Sequence, residues 1–359
     1  MMKVAIVGIR GIPNNYGGFE TLAEQLVAYL GEELNISVYC SSVDMVERPS
    51  QYLNAQLVYI PVSSHGISGI LYDSISLFSA VRKHDKVLFL GFGGGFVMPL
   101  LRRYRSKIIL NIGGLDWKRN KWSPISQKVI KKAEALLVKN CGYIISDNIG
   151  IQKYIKATYG KDSTLIGYGG DQTLKVPVTN ELYKEYPFLK SDYAFIVTRI
   201  QPDNNIAMLL EAFINQDKLP LVMVGNWSNS KYGQETKRKY INKNNVILLE
   251  AIYDRHRLDA LRSNCTFYVH GHSAGGTNPS LVEAMYLELP IFAFASGYNE
   301  YTTENEAVYF KTASELTALV EEYKSNSLSR IGNRMKRIAE KSYRWQFIAD
   351  SYKKTILQN

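Results

Sequence analysis

A chain of 359 residues, 46% hydrophobic and 21% charged, has the composition of a soluble globular protein with enough apolar residues for two cores. Its three cysteines, Cys40, Cys141 and Cys265, sit in or beside apolar strand-like runs without metal-type spacing, which points away from disulfides and metal ligation and toward the cytosol. The net charge of +10 is uneven: residues 1–190 hold 23 basic and 15 acidic residues, whereas 191–359 hold 20 and 18. Within the first half, residues 102–139 contain eleven Lys or Arg against Asp116 and Glu134. Such a patch suits an anionic membrane, an acidic substrate or nucleic acid. With no nucleic-acid module in the sequence, the membrane surface ranks above nucleic acid.

In chain order, Lys3-Val-Ala-Ile-Val-Gly8 reads as a buried first strand, its apolar run too short for a signal peptide. A glycine loop with Gly11, Gly17 and Gly18 follows, then helical spacing at Leu22, Leu26, Val27 and Leu30. The loop lacks the Gly-x-Gly-x-x-Gly spacing of a dinucleotide site, and the next strand, 36–40, ends in Ser41-Ser42 rather than an acid, so a dehydrogenase is disfavoured. Strands are expected at 57–61 and 87–90, an amphipathic helix at 70–82, and a glycine break at 91–95 before a helical stretch, 96–104. The uncharged run 87–101 is 15 residues, short of the ~20 needed to span a bilayer.

A strand at 107–111 opens onto Ile-Gly-Gly-Leu-Asp116-Trp117-Lys118-Arg119-Asn-Lys-Trp122, placing an acid, two tryptophans and three cations at a strand's C-terminal end, where α/β sheets keep their ligands. Asp116 is there either to orient an acceptor hydroxyl or to cap a turn. Helices at 126–138 and 148–158 with strands at 143–146 and 165–167 complete a first domain, 1–172, and 172–190 reads as a linker. A second domain, 190–342, restarts with strands at 193–198, 221–224, 246–249, 265–269 and 291–294 alternating with helices at 206–213, 234–242, 254–262 and 278–288. Helices at 314–324 and 328–340 follow. The last segment, 343–359, places Trp345, Ile348 and Tyr352 on one helical side.

The stretch from His270 to Leu287 is the most informative. It is a strand end, a glycine elbow (Gly271, Gly275, Gly276) and a helix start with Asn278 as N-cap and Pro279 at the first helical position. Amides and a helix N-terminus at such an elbow suit a phosphate, and Glu283, one turn in, can accept hydrogen bonds from sugar hydroxyls. Isolated elbows of this kind also occur in proteins that bind nothing there. Arg199, at the end of the second domain's first strand, points to the same edge.

These residues resemble the donor segment of retaining, GT-B-fold glycosyltransferases (glycosyltransferase family 4-like), in which two glutamates eight positions apart flank the elbow and the second ends in Glu-Ala-Met. Glu283-Ala284-Met285 matches, while the first glutamate falls at Gly275. Arg199 matches the family's diphosphate-binding Arg, while its Lys partner, five positions on, is Asn204. Gly-Gly-Thr-Asn-Pro-Ser-Leu-Val-Glu-Ala-Met and Gly-Ile-Pro-x-x-Tyr-Gly-Gly-Phe-Glu are closer to the bacterial polysaccharide rhamnosyltransferase subgroup.

The resemblance implies an α/β protein with two doubly wound Rossmann-like domains facing across a cleft, the last segment, 343–359, packing back on the first. It implies a metal-independent transfer of L-rhamnose from dTDP-L-rhamnose to a lipid-linked saccharide acceptor in capsule, O-antigen or cell-wall glycan synthesis, on the cytoplasmic face of the membrane, with no cofactor. Donor binding then falls to Gly17, Gly18, Arg199, Asn204, His270, His272, Gly275, Gly276, Thr277, Asn278 and Glu283. Acceptor binding falls to Tyr16, Asp116, Trp117, Lys118 and Arg119, and catalysis to Arg199, Asp116 and Glu283. A UDP- or GDP-hexose donor, a GT-B-fold sugar-nucleotide epimerase and a non-catalytic sugar-nucleotide-binding partner are the competing readings.

Overall fold

The computed structural model describes residues 1–13, 17–119 and 122–358, and Tyr16, Asn120 and Lys121 lie outside the described residues. The chain divides into two compact units, Met1–Tyr168 with the chain from Trp345 on, and Gly169–Arg344.

The first unit runs β1 (Lys3–Val7), α1 (Gly18–Leu30), β2 (Asn35–Ser41), β3 (Gln51–Tyr52), β4 (Ala55–Ile60), α2 (Gly66–Lys83), β5 (Lys86–Leu90), a 3₁₀ segment (Gly93–Lys107), β6 (Ile108–Ile112), α3 (Pro124–Asn140), β7 (Tyr143–Ser146), α4 (Ile149–Tyr159) and β8 (Thr164–Leu165). Its sheet has the order β3-β4-β2-β1-β5-β6-β7-β8, parallel except for the β3–β4 pair. The central strands are apolar without alternation because both faces are covered: Val4–Val7, Val87–Leu90 and Ile108–Leu110 are all buried. Helix starts carry their own caps, Ser123 on α3 and Asn148 on α4.

The second unit runs α5 (Asn180–Glu185), β9 (Ala194–Val197), α6 (Ile206–Ile214), β10 (Leu221–Val224), α7 (Lys231–Tyr240), β11 (Val246–Leu249), α8 (Arg255–Ser263), β12 (Phe267–His270), α9 (Pro279–Tyr286), β13 (Ile291–Phe294), α10 (Tyr298–Thr302), β14 (Val308–Phe310), α11 (Ala313–Glu322) and α12 (Ser325–Ser342). Its sheet is parallel throughout, in the order β11-β10-β9-β12-β13-β14. Phe267 and Phe292 stack at 4.2 Å between ring centroids in a core that also holds Phe213, Trp227 and Phe310. The chain then returns to the first unit as α13 (Trp345–Gln358), where Trp345 meets Tyr168 edge-on at 6.1 Å and Tyr352 hydrogen-bonds Asn111.

Three local expectations change. The stretch expected as helix at 96–104 is 3₁₀ over Gly93–Lys107, because three consecutive glycines and Pro99 weaken an α-helical ladder. The strand expected at 165–167 is Thr164–Leu165. The 172–190 stretch carries α5, capped by Thr179, and a 3₁₀ turn at Pro187–Lys190, and it belongs to the second unit.

Candidate functional site

In the second sheet the strand order reverses at β9, which has β10 on one side and β12 on the other. Loops leaving β9 and β12 depart in different directions, and a parallel α/β sheet offers its ligand crevice at such a point. Arg199, Asn204, His272 and the 275–278 elbow lie in these two loops, and His270 is the last residue of β12. Side chains lace the loops together. Asn205 Nδ2 donates to the Gly271 carbonyl at 2.9 Å, and Ser273 donates to the Asp203 carbonyl through N (3.0 Å) and Oγ (2.7 Å). A β-carbon at Gly271 would lie 2.4 Å from the Asn204 carbonyl oxygen, so only glycine permits this approach. A third loop joins through Asn299, whose Nδ2 donates to the carbonyls of His272 (3.0 Å) and Phe294 (2.8 Å).

Arg199 is exposed at this edge, while the buried Asn204 is engaged in bracing the loop that carries it: Nδ2 donates to Thr198 Oγ1 (3.0 Å) and to the Arg199 carbonyl (2.7 Å). His270 is fully buried, stacked between Tyr268 (6.2 Å) and His272 (4.5 Å), and burial pushes its pKa down to about 3, so the ring is neutral. Gly275 has φ +128°, and a β-carbon there would meet nothing within 4 Å. The elbow thus has open space where a side chain would stand, and a backbone that an L-residue adopts only under strain.

The start of α9 differs from the expected row of bare amides. Its first residue is Pro279, the Ser280 N–H is capped by Asn278 Oδ1 at 3.1 Å, and Leu281 N–H turns back to the Asn278 carbonyl at 3.1 Å. An anion at this edge would meet the elbow at Gly275 and Gly276, with the helix dipole behind it.

Glu283 is held on both oxygens. Oε2 accepts from Arg262 Nη1, and Oε1 accepts from Gln172 Nε2 at 2.7 Å. Arg262 is itself buried and paired with the buried Asp259 at 2.6 Å. Burial opposes its charge, but the two carboxylates outweigh that and hold its pKa above the ordinary guanidinium value. The carboxylate of Glu283 is therefore fixed in place with part of its surface in solvent. Asp259 and Arg262 stand three apart on α8, but nothing local ties that pair to Glu283, and Gln172 reaches Glu283 across 111 residues of chain.

In the first unit Gly17 caps α1 at φ 121° and Gly18 is its first residue. Glu20 folds back so that Oε1 accepts the Arg10 N–H at 3.1 Å. Asp116, Trp117 and Lys118 form one 3₁₀ turn, and Arg119 Nε pairs with Asp116 Oδ1 at 2.6 Å. Trp117 lies beneath Lys131, whose ammonium is 4.3 Å from the indole centroid, and beside Tyr154. Behind them the buried Glu134 accepts from the hydroxyls of Tyr154 and Tyr159, both at 2.7 Å; burial raises its pKa and those hydroxyls oppose the shift. The first sheet also reverses, at β1 and β5, and there the sequence reading missed Asp73: it accepts the Gly93 N–H at 3.0 Å, and burial holds its pKa up at about 7. Among the described residues no three His, Cys, Asp or Glu side chains cluster as metal ligands would.

Residues 179–345 match the family described as "Glycosyl transferases group 1", and residues 1–171 match one described as "Domain of unknown function (DUF1972)". No curated protein matches the chain. Among solved structures, sucrose-phosphate synthase from Thermosynechococcus elongatus is similar at TM-score 0.84 and 16% identity, over 100% of this chain and 99% of that one. HepE from Anabaena, solved with UDP-glucose, has TM-score 0.75 at 12% identity over 100% of both chains. A glycosyltransferase from Rickettsia africae ESF-5 has TM-score 0.72 at 13% identity, over 100% of this chain and 99% of that one. Identities this low speak to the fold. Residues 179–345 thus match a group 1 glycosyl transferase domain, and the fold over the whole length is of the GT-B kind.

Proposed function

We propose that this protein is a retaining glycosyltransferase that moves L-rhamnose from dTDP-L-rhamnose to a lipid-linked saccharide in bacterial surface polysaccharide synthesis. The observation that carries the reading is the lacing of the Arg199 loop to the 271–278 elbow at the point where the second sheet reverses. One cation and a run of elbow amides then address the donor diphosphate, and Glu283, fixed by Arg262 and Gln172, addresses the ribose. The acceptor hydroxyl attacks the anomeric carbon from the face the diphosphate leaves, the carbon–oxygen bond to phosphate breaks, and a departing phosphate oxygen takes the hydroxyl proton. Fixed dipoles and a cation stabilise the leaving charge without a metal. Asp116, with Trp117, Lys118 and Arg119, orients the acceptor, and the basic stretch 102–139 holds the enzyme against an anionic membrane on its cytoplasmic side.

Rhamnose is favoured by Gly275. A donor whose hexose hydroxyls expect a glutamate at that place would leave them unpaired, at roughly 1–3 kcal/mol for a buried polar group. A UDP-hexose is the second reading, because HepE, similar in fold, is solved with UDP-glucose. Slow hydrolysis and thermal stabilisation measured in parallel with dTDP-L-rhamnose, UDP-glucose, UDP-galactose and GDP-mannose decide between them. Preference for a hexose donor refutes the rhamnose assignment, and binding of dTDP-L-rhamnose without turnover in the presence of acceptor refutes the enzyme.

A further inference from the structure

Helix α2 is apolar on two faces. One face, with Tyr72, Leu77, Ala80 and Val81, is buried against the first sheet, and the Tyr72 hydroxyl reaches the Ile9 and Tyr39 carbonyls at 2.8 and 2.9 Å. The opposite face carries a second stripe at helical spacing, Ile67, Leu71, Ile75 and Phe78, ending at Arg82. Ile67 is 88% exposed and Leu71 55%. A surface helix puts polar residues in such positions. The 3₁₀ segment Gly93–Lys107 packs alongside α2 and adds the exposed Phe96 and Leu100, the latter at 76%. A groove of about 510 Å³ runs between them, with Ile75, Phe78, Val97 and Arg82 in its wall.

The charge around this row has one sign. Arg82, Lys83, Arg102 and Arg103 are exposed beside it, and the Arg82 guanidinium lies 3.8 Å over the Phe78 ring. The 3₁₀ segment has no acidic residue, and the one acid of α2, Asp73, is outside the stripe, bonded to the Gly93 amide. A second copy of this chain would bring these cations face to face, which opposes self-association through the row. Apolar side chains edged by cations alone match a bilayer carrying anionic headgroups, where long basic side chains reach phosphates while the apolar row enters the acyl boundary.

We propose that the outward face of α2 and the 3₁₀ segment Gly93–Lys107 seats on an anionic phospholipid bilayer, with Ile67, Leu71, Phe96 and Leu100 among the acyl chains and Arg82, Lys83, Arg102 and Arg103 on lipid phosphates. The inference rests on the membrane reading above and relocates the contact: apolar insertion on this face, rather than the lysines of 102–139 alone, holds the protein down.

Co-sedimentation of the full chain with phosphatidylglycerol vesicles, and with pure phosphatidylcholine vesicles, tests it. The triple variant Ile67→Ser, Leu71→Ser, Leu100→Ser is expected to lose roughly tenfold in partitioning per side chain, with its thermal midpoint and donor hydrolysis unchanged. Lys128→Ser, Lys132→Ser, Lys139→Ser is expected to keep most of the binding. Because Cys40, Cys141 and Cys265 are buried, a polarity-sensitive dye on Leu100→Cys labels one place and should brighten on anionic vesicles. If the apolar triple binds like the wild type and the lysine triple does not, insertion is overturned while electrostatic membrane docking stands. If the wild type binds no vesicle, both fall. If the apolar triple abolishes self-association in sedimentation and leaves vesicle binding unchanged, the face is a protein interface and the proposal is wrong. Binding is read without turnover, so a failed donor assignment leaves these outcomes intact.

Discussion

At the scale of single residues, three side chains have separable duties. Arg199 is exposed, so Arg199→Ala should leave the unfolding midpoint in place while turnover falls by an amount equivalent to about 2–4 kcal/mol, the range for groups that stabilise a developing anion. Single-turnover kinetics alongside thermal melts would expose the opposite pattern, normal turnover in a weakened protein. Arg262 is the reverse case. Arg262→Leu strands the buried Asp259 without its cation and should cost about 3–5 kcal/mol in urea unfolding, a loss far larger than Glu283→Gln produces. His270 contributes a pH dependence. With a folded pKa of about 3 against an ordinary 6.5, the unfolded chain binds a proton in that window which the folded protein refuses, so stability falls as pH drops below 6.5. The slope is at most about 1.4 kcal/mol per pH unit. His270→Phe keeps a ring in the stack and should flatten this part of the stability profile. Parallel profiles for variant and wild type would mean that the ring is protonated in the native state.

At the scale of elements, the sequence was most legible where a rule is local. Asn278-Pro279 announced the start of α9, and apolar runs such as 87–90 and 221–224 announced parallel strands, because a strand covered on both faces needs no polar alternation. It was less legible where one element answers to another. The capped Ser280 amide and the inward turn of Leu281 leave α9 with fewer free donors than Asn-Pro alone suggests. The brace on Glu283 comes from α8 and from Gln172, and neither position is marked by spacing. The amphipathic reading of 70–82 located α2, yet its outer stripe of isoleucine, leucine and phenylalanine shows only when the buried face is known. The lacing of the Arg199 loop to the 271–278 elbow is itself testable. Asn205 has φ 55°, so Asn205→Gly preserves the backbone and removes only the bond to Gly271. A stability loss near 1 kcal/mol with weakened donor binding is expected from equilibrium unfolding and calorimetry, and unchanged donor affinity would mean that the elbow holds its shape unaided.

At the scale of the whole molecule, the second unit enters after Tyr168 and leaves at Arg344, and its two ends are bonded to each other: Gly170 N–H donates to the Tyr343 carbonyl at 2.8 Å. On the other side of that passage, Tyr168 and Trp345 meet as neighbours within the first unit. The second unit is therefore a loop of chain inserted into the first through a single doorway, which bears on the order of manufacture. As the chain leaves the ribosome, Gly169–Arg344 is complete before the first unit has α13, with its Tyr352–Asn111 and Lys353–Glu33 bonds. The unit that begins first is finished last. A chain stopped at Arg344 should thus show one cooperative unfolding transition from an intact second unit and a weakened or missing one from the first, whereas loss of both would show that the inserted unit cannot mature without its host.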